Sequence, residues 1–547
     1  MNTILILSVV AVCTIQTISC DEIVIEVEQG LLKGRKQETI TKDSTYYSFE
    51  NVPFAKPPIG SLRFKAPEKP EKWEGTRDAT AQGPMCPQYN PISDALNLGS
   101  EDCLTCNIYT PDTSKELPVL FFLSGFAYFF DADVLGLYGP DFLVKDMVVV
   151  KCQYRNDVFG FLNLGIKDAP GNAAMKDQVE ALKWVNKNIH AFGGDPKRVT
   201  ISGVCTGSAS VYHHMMSPMS SGLFHRAIMM SGVPSCDAIY LENNVMDKSL
   251  ELAERFDCKT EDGAEMLNCL QAIPYEKLIN SSYSMAREEF TNQLFKKMST
   301  FVPVVEDDFG QERFITEDPY TSLNQAPLNK VKVLMGHSEK ETLLIVNHYD
   351  EYLVDLYNTS RELLVPYKIL RTNPTPTEIN KIADTIKDYY FNDKEISVEN
   401  MKEFVDMTSD SSMTYDQITF AKKISQFVDT YLFVFNSISS RNLYGQEGLK
   451  FGVEGVGHSD MVAYMFPYAP LNMTLDENTK ALITQFSNRM IDFVVRGHPS
   501  CSADFSWPKF TPENRDYVEF TDQVTLKKDP KGEIMEFWDD VYEGYLP

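Results

Sequence analysis

Positive charge is scarce in this chain of 547 residues. Lys and Arg number 51 against 77 Asp and Glu, so the formal net charge is −26 and the sequence pI is about 4.8. A surface of this sign repels phosphate backbones and anionic lipid headgroups. The composition therefore excludes nucleic acids and anionic membrane surfaces as main partners.

Long apolar runs are also missing after residue 20. A membrane-spanning helix needs about 20 consecutive apolar residues. The run from Leu117 to Phe130 is interrupted by Ser124 and Gly125, which predicts a buried strand followed by a turn. The C-terminal Tyr545-Leu-Pro547 carries no retention or lipid-anchor signal. We therefore expect no membrane anchor.

The first twenty residues contain no Lys or Arg, yet Met1 to Cys20 form an apolar run just before Asp21. We interpret this run as a signal peptide, with a first core strand as the alternative. A secreted, extracellular protein is then expected, with residues 21–547 as a single domain. Three N-x-[ST] tripeptides fit that route as glycosylation acceptors, at Asn280, Asn358 and Asn472.

Short apolar runs alternate with helix-like stretches along the chain. With 43% hydrophobic residues, the chain can bury a large core. This alternation predicts an α/β fold with a large, mostly parallel sheet and helices on both faces. The predicted strands lie at residues 117–123, 147–153, 199–201, 226–230, 331–336 and 430–435.

Other segments have their own patterns. An N-terminal hairpin is predicted at residues 24–34, and a helix at 172–190 from its apolar spacing. Residues 46–60 contain three prolines and are expected to be an extended surface segment. Residues 246–420 are mostly helical and polar, and we expect them to cover the site as insertions.

The most informative stretch runs from Val199 to Met216. A β-branched strand leads into Gly203-Val-Cys-Thr-Gly207, and an apolar helix follows. This order is typical of the nucleophile elbow, G-x-S-x-G, in which the nucleophile occupies a sharp turn between a strand and a helix. Here the apex is Cys205 instead of serine. A buried structural thiol is the alternative to a nucleophile at this position.

The other cysteines are expected to be oxidised in pairs or to remain free thiols. On spacing alone, Cys86 with Cys103 and Cys258 with Cys269 can each close a short loop. Cys152 lies in a strand-like run and is expected to be a buried free thiol. Sequence does not assign a partner to the remaining cysteines outside the signal segment, Cys106, Cys236 and Cys501.

Seven segments give this chain a specific resemblance. They are residues 47–64, Ser100-Glu-Asp-Cys-Leu104, Tyr138-Gly-Pro-Asp141, residues 172–179, Ala191-Phe-Gly-Gly-Asp-Pro196, Val302-Pro-Val-Val-Glu306 and Gly457-His-Ser-Asp460. With these segments the chain resembles the type-B carboxylesterase/cholinesterase family from about residue 24 to the C-terminus. The resemblance implies an α/β-hydrolase fold with disulfides Cys86–Cys103 and Cys258–Cys269.

The resemblance implies a catalytic triad of Cys205, Glu341 and His458, in the order nucleophile, acid and base. In such a triad the histidine accepts the proton of the nucleophile, and the acid orients and stabilises the imidazole. A thiol beside a protonated histidine ionises readily and is a good nucleophile. We expect neither a cofactor nor a metal.

The oxyanion hole departs from the family pattern. The aligned turn is Ser124-Gly-Phe-Ala127, where the family has an H-G-G-G-type turn. Phe126 and Ala127 retain their N–H groups, but glycine there would allow unusual dihedrals and close substrate approach. Thr206 replaces the usual alanine at the third donor. No Trp lies between Cys86 and Cys103, which argues against acetylcholine as a substrate.

Two functions follow from these features. The first is a weakly active or inactive carboxylesterase-like protein that binds a small hydrophobic ester-like ligand or a protein partner. The altered elbow and oxyanion turn favour it. The second is a Cys-His-Glu hydrolase of carboxylic esters or thioesters, which the retained Glu341 and His458 favour.

Overall fold

The apolar runs of the sequence form the centre of one large sheet. The computed structural model describes residues 21–90, 95–97, 99–131, 138–237, 244–292, 299–348, 351–467, 475–500 and 505–545. The predicted signal peptide, Asn472 and Cys501 lie outside these residues.

The strands are β1 (Glu22–Val27), β2 (Gly30–Glu38), β3 (Thr45–Pro53), β4 (Thr76–Asp78), β5 (Gln88–Asn90), β6 (Ala95–Asn97), β7 (Thr105–Thr110), β8 (Leu117–Leu123), β9 (Val148–Cys152), β10 (Asn163–Ile166), β11 (Ala169–Pro170), β12 (Gly194–Val204), β13 (Arg226–Met230), β14 (Lys332–Ser338), β15 (Thr430–Phe435), β16 (Asp516–Phe520) and β17 (Val524–Lys528).

The helices are α1 (Asp157–Phe161), α2 (Ala173–Asn188), α3 (Thr206–Met216), α4 (Val245–Arg255), α5 (Gly263–Ala272), α6 (Tyr275–Asn292), α7 (Pro319–Ser322), α8 (Glu351–Thr359), α9 (Tyr367–Leu370), α10 (Pro376–Phe391), α11 (Met401–Ser409), α12 (Tyr415–Ile424), α13 (Leu443–Leu449), α14 (Glu477–Arg496) and α15 (Gly532–Tyr542). Among these described helices, none is long and apolar enough to cross a bilayer.

Within the described residues, the main sheet has the order β1-β2-β3-β7-β9-β8-β12-β13-β14-β15-β16-β17, with β4 beside β2. The strands from β9 to β16 are parallel, and antiparallel strands extend the sheet at both ends. Parallel strands need crossover connections, so helices cover both faces. The predicted fold class is confirmed.

Strand β8 shows how the sheet divides the core. Val119 and Phe121 belong to the apolar cluster that also contains α2 and α3 side chains. Leu120 and Phe122 belong to the opposite cluster, which contains α14 side chains. Both faces of this central strand are therefore buried, which explains its continuous apolar sequence. A third cluster joins the helical region with the C-terminal α15.

The prediction of a surface segment at residues 46–60 was wrong for its first half. Strand β3 lies inside the sheet, between β2 and β7, and Phe49 and Val52 are fully buried. The segment is extended, as its prolines indicated, but it leaves the sheet only after Pro53. A strand covered on both sides of the sheet plane needs buried side chains at most positions.

The prediction that Cys152 is a free thiol was also wrong. It forms a disulfide with Cys106, because the two residues are directly opposite in the antiparallel pair of β7 and β9. Nothing in the sequence shows that these two strands are neighbours. The disulfides Cys86–Cys103 and Cys258–Cys269, implied by the family resemblance, are present. Cys205 and Cys236 are free.

Peptide mapping without reductant is therefore expected to recover Cys106 linked to Cys152. In the chain-entropy description, a disulfide over 46 residues stabilises by about 4 kcal/mol and one over 11 residues by about 3 kcal/mol. We expect a Cys106→Ala/Cys152→Ala variant to lose more stability in denaturant unfolding than Cys258→Ala/Cys269→Ala. Alkylation of Cys152 in the native, unreduced protein would contradict the pairing.

Candidate active site

Cys205 occupies a sharp turn between the end of β12 and the start of α3. Its backbone has φ 55° and ψ −123°, a conformation that L-residues rarely adopt and that is stabilised only by the surrounding structure. Close packing provides that support. A methyl group at Gly203 would lie 2.3 Å from the Gly207 backbone, and one at Gly207 would lie 2.3 Å from the Leu123 oxygen. The two glycines allow helix and strand to meet at this distance.

The oxyanion turn lies beside the thiol, directly after β8. The backbone N–H groups of Ala127 and Thr206 both lower the pKa of the Cys205 thiol. Phe126 instead forms a β-bridge with Phe130, and its half-buried ring packs edge-on against the rings of Phe129 and Phe130. Two of the three predicted donors therefore act on the thiol electrostatically.

His458 and Glu341 come together from distant parts of the chain. His458 Nδ1 and Glu341 Oε2 are 2.6 Å apart, and both side chains are buried. Cys205 also interacts with the imidazole and raises the pKa of His458. Since a carboxylate only accepts hydrogen bonds, the proton of this pair is on Nδ1, and Nε2 is directed to the thiol.

Backbone and side-chain contacts fix the acid and the histidine in these positions. Glu341 Oε1 accepts a hydrogen bond from the Ser338 N–H at 2.9 Å and one from Gln417 Nε2 at 3.5 Å. The loop of His458 is held by Asp460, whose carboxylate accepts hydrogen bonds from the N–H groups of Gly457, Tyr444 and Gly445.

Sequence reasoning missed Gln417 and Ser338 as supports of Glu341. Gln417 lies on α12, far from Glu341 in the chain, so no local pattern connects them. The signal for Asp460 was present, because this residue ends the segment Gly457-His-Ser-Asp460 that the family resemblance identified.

The site favours charge separation between the thiol and the imidazole. Burial opposes ionisation of Cys205, but His458 and the N–H groups of Ala127 and Thr206 lower its pKa below the usual value of 9.0. Burial likewise opposes protonation of His458, yet Cys205 and Glu341 raise its pKa above 6.5. For Glu341, burial is outweighed by His458, which lowers the carboxyl pKa. The electrostatics of the site therefore favour transfer of the thiol proton to the imidazole.

The remaining predicted residues lie away from this centre. Cys236 is a buried free thiol whose pKa is raised by burial. Asn280 is exposed on α6. Asn358 is half-buried, and its side chain exchanges hydrogen bonds with the Ile396 backbone at 2.8 and 2.9 Å.

An elbow after a central parallel strand, followed in the chain by an acid and a histidine, defines the α/β-hydrolase class. The profile of the Carboxylesterase family matches residues 21–538. The chain therefore belongs to the Carboxylesterase family.

Known relatives agree with this family over nearly the whole length. Esterase FE4 of Myzus persicae is 32% identical over 518 residues, covering 91% of this chain and 88% of that protein. Juvenile hormone esterase of Tribolium castaneum is 31% identical over 505 residues, covering 87% and 84%. The crystal structure of juvenile hormone esterase from Manduca sexta, with OTFP covalently attached, matches with a TM-score of 0.82 at 28% identity, covering 95% of this chain and 100% of that one.

The charge pair can be tested without any substrate. The alkylation rate of a cysteine follows its thiolate fraction. Because the pKa of Cys205 lies below 9.0, we expect its iodoacetamide reaction to remain fast well below pH 9 and to slow only as the pH falls through the lowered pKa. His458→Ala removes the main opposing charge and leaves the burial, so the pKa rises. Alkylation at pH 7 is then expected to slow at least about tenfold.

The measurement follows the Cys205 peptide by mass spectrometry, which separates it from Cys236 and other thiols. The matched control is His190→Ala, which removes an exposed histidine and should leave the profile unchanged. A wild-type profile that is half-maximal near pH 9 would contradict the ion pair.

Proposed function

We propose that this chain is a Cys-dependent acyl hydrolase in which Cys205 is the nucleophile, His458 the base and Glu341 its orienting acid. The observation that carries the proposal is the assembly of one centre from three segments: the free thiol at the elbow, the buried His458–Glu341 pair at 2.6 Å, and two backbone N–H groups that lower the pKa of the thiol. A purely structural thiol would need neither the pair nor the donors.

The chemistry follows from these positions. The Cys205 thiolate attacks the acyl carbon, a C–S bond forms, and the carbonyl electrons move to an oxyanion near the Ala127 and Thr206 N–H groups. Collapse breaks the bond to the leaving group, which takes a proton from His458 Nε2. Water then attacks the acyl-thioester while His458 accepts its proton, and a second collapse releases the carboxylic acid and the thiolate.

The thiolate nucleophile favours a particular class of substrate. In the tetrahedral intermediate, the group of lower pKa leaves faster. Cys205 is a better leaving group than an ordinary alkoxide, so an alkyl ester mostly reverts to substrate. A thioester, or an ester of an acidic alcohol, offers a leaving group of comparable pKa. We therefore propose thioesters and activated esters with apolar acyl groups as substrates. The esterases among the relatives support an ester-like ligand.

A second candidate is a binding protein with little or no turnover. It is favoured by Phe126, whose half-buried ring packs against the same apolar cluster as Cys205. The phenyl ring borders the space that an acyl group needs. In this case the space beside Cys205, which holds the acyl group in an esterase, binds a small hydrophobic ester-like molecule, or the strongly acidic surface binds a protein partner.

We further propose that the protein is secreted after removal of residues 1–20, with residues 21–547 as one domain. A juvenile hormone esterase and a venom carboxylesterase are among its relatives. Asn280 is accessible on α6, whereas the paired side chain of Asn358 would have to be glycosylated before folding. Asn280, Asn358 and Asn472 are the proposed acceptors.

Hydrolysis of a short acyl thioester and the matched alkyl ester distinguishes the two candidates. We expect the purified wild-type protein to turn over the thioester steadily and the alkyl ester at least about tenfold more slowly, and Cys205→Ala to lose both activities, with a fall of 10³-fold or more. Cys205→Ser should shift the preference towards the oxygen ester. With a serine nucleophile, the tetrahedral intermediate no longer expels the enzyme's own group so readily and reverts to substrate less often.

The variant Cys236→Ala is the matched control, since it removes the other described free thiol. If the folded wild-type protein hydrolyses the thioester no faster than Cys205→Ala, the hydrolase is overturned and the binding protein is favoured.

A further inference from the structure

The oxyanion turn of this chain adopts an unusual backbone without the glycines that would make it easy. Ala127 has φ 51° and Tyr128 has φ 62°, in the left-handed region that disfavours residues with a Cβ atom. Both residues are buried. A turn under such strain needs external contacts to persist.

Contacts from three different segments hold this turn. The Tyr154 hydroxyl donates to the Ser124 oxygen at 2.5 Å, and the Asp157 N–H donates to the Tyr128 oxygen at 2.8 Å. Ser299 Oγ donates to the Ala127 oxygen. These three contacts use carbonyl groups of the turn as acceptors. Because a carbonyl and the N–H that follows it share one peptide plane, the Ser299 contact holds one side of the plane that contains the Tyr128 N–H.

Thr206 supplies the contact to an N–H group. The Tyr128 N–H donates to Thr206 Oγ1 at 3.4 Å in a buried position. The same oxygen lies close to Gly125, where a methyl group would be only 2.7 Å away. The Thr206 side chain, fully buried, thus touches both ends of the segment that contains Ala127.

We propose that Thr206 is a positioning residue of the oxyanion hole. Its backbone N–H is one donor to the nucleophile position, and its hydroxyl oxygen holds the Tyr128 N–H so that the neighbouring Ala127 N–H, the other donor, stays directed at Cys205. The threonine therefore compensates for the missing glycines of the turn. By sequence alone it was a second departure from the family's oxyanion hole, beside the altered turn. This inference rests on the proposed function for its catalytic meaning.

The alternative is that Thr206 only fills space between α3 and the turn. Thr206→Val separates the two possibilities, because valine keeps the branched shape and loses the acceptor oxygen. If the oxygen positions the turn, Thr206→Val weakens the Ala127 contact to the thiolate and raises the pKa of Cys205. Thr206→Ser keeps the oxygen and is expected to retain the wild-type behaviour.

The experiment measures the pH profile of Cys205 alkylation, amide hydrogen exchange of the peptide containing Tyr128, and thioester kinetics. For Thr206→Val we expect slower alkylation at pH 7, faster exchange at Tyr128, and a kcat lower by about tenfold with KM within twofold. This loss is smaller than the 10²–10³ for deleting a donor, because the N–H is loosened and not removed. Thr206→Ser should lie within about twofold of wild type.

Thr200→Val is the matched control. It is the same change at another fully buried threonine of the same strand–helix unit, on β12 away from the turn, and it should alter none of the three measurements. Thr206→Ala is measured beside Thr206→Val, so that one poorly folded variant does not decide the result.

The outcomes separate this inference from the proposed function. Alkylation and exchange that are unchanged in Thr206→Val and Thr206→Ala would overturn the positioning role. If the wild-type protein shows no turnover, the hydrolase fails, while the alkylation profile and the Tyr128 exchange still decide whether Thr206 orients the turn.

Discussion

The strained backbone of Cys205 is the constraint on which the rest of the structure depends. At φ 55° and ψ −123°, the residue projects its thiol from the apex of a turn that unsupported chain would not adopt. The support comes from β12 in the middle of the parallel sheet and from α3 packed closely against it through Gly203 and Gly207. Sheet and helix together hold one side chain at the carboxyl edge of the sheet.

Charge is the second constraint on this site. Burying a carboxylate or an imidazolium alone is unfavourable, and burying them as a hydrogen-bonded pair is tolerated. Glu341 and His458 meet this condition at 2.6 Å, and Cys205 raises the pKa of the imidazole further. The three groups therefore determine one another's protonation, and the loss of any one leaves an unpaired buried group.

The departures from the family pattern are concentrated in a small volume. Phe126, Ala127, Cys205 and Thr206 all lie where the turn after β8 meets the elbow after β12. Considered separately, each departure is expected to lower esterase activity. In three dimensions Thr206 contacts the turn that has no glycine at positions 126–128, so the changes are coupled through a shared hydrogen bond. In the proposed mechanism, the thiol nucleophile also changes which leaving groups the site can expel, which connects these substitutions to substrate class.

The sequence by itself determined the fold class, the elbow, and the order of Cys205, Glu341 and His458, because each depends on local pattern or on a family motif. Tertiary structure alone decided the features that depend on which segments become neighbours. Cys152 pairs with Cys106 because β7 and β9 are adjacent, β3 is buried because strands flank it on both sides, and Gln417 supports Glu341 from another helix. The hydrogen bond from the Tyr128 N–H to Thr206 Oγ1 belongs to the same group, since it joins residues far apart in the chain and cannot be derived from local propensity.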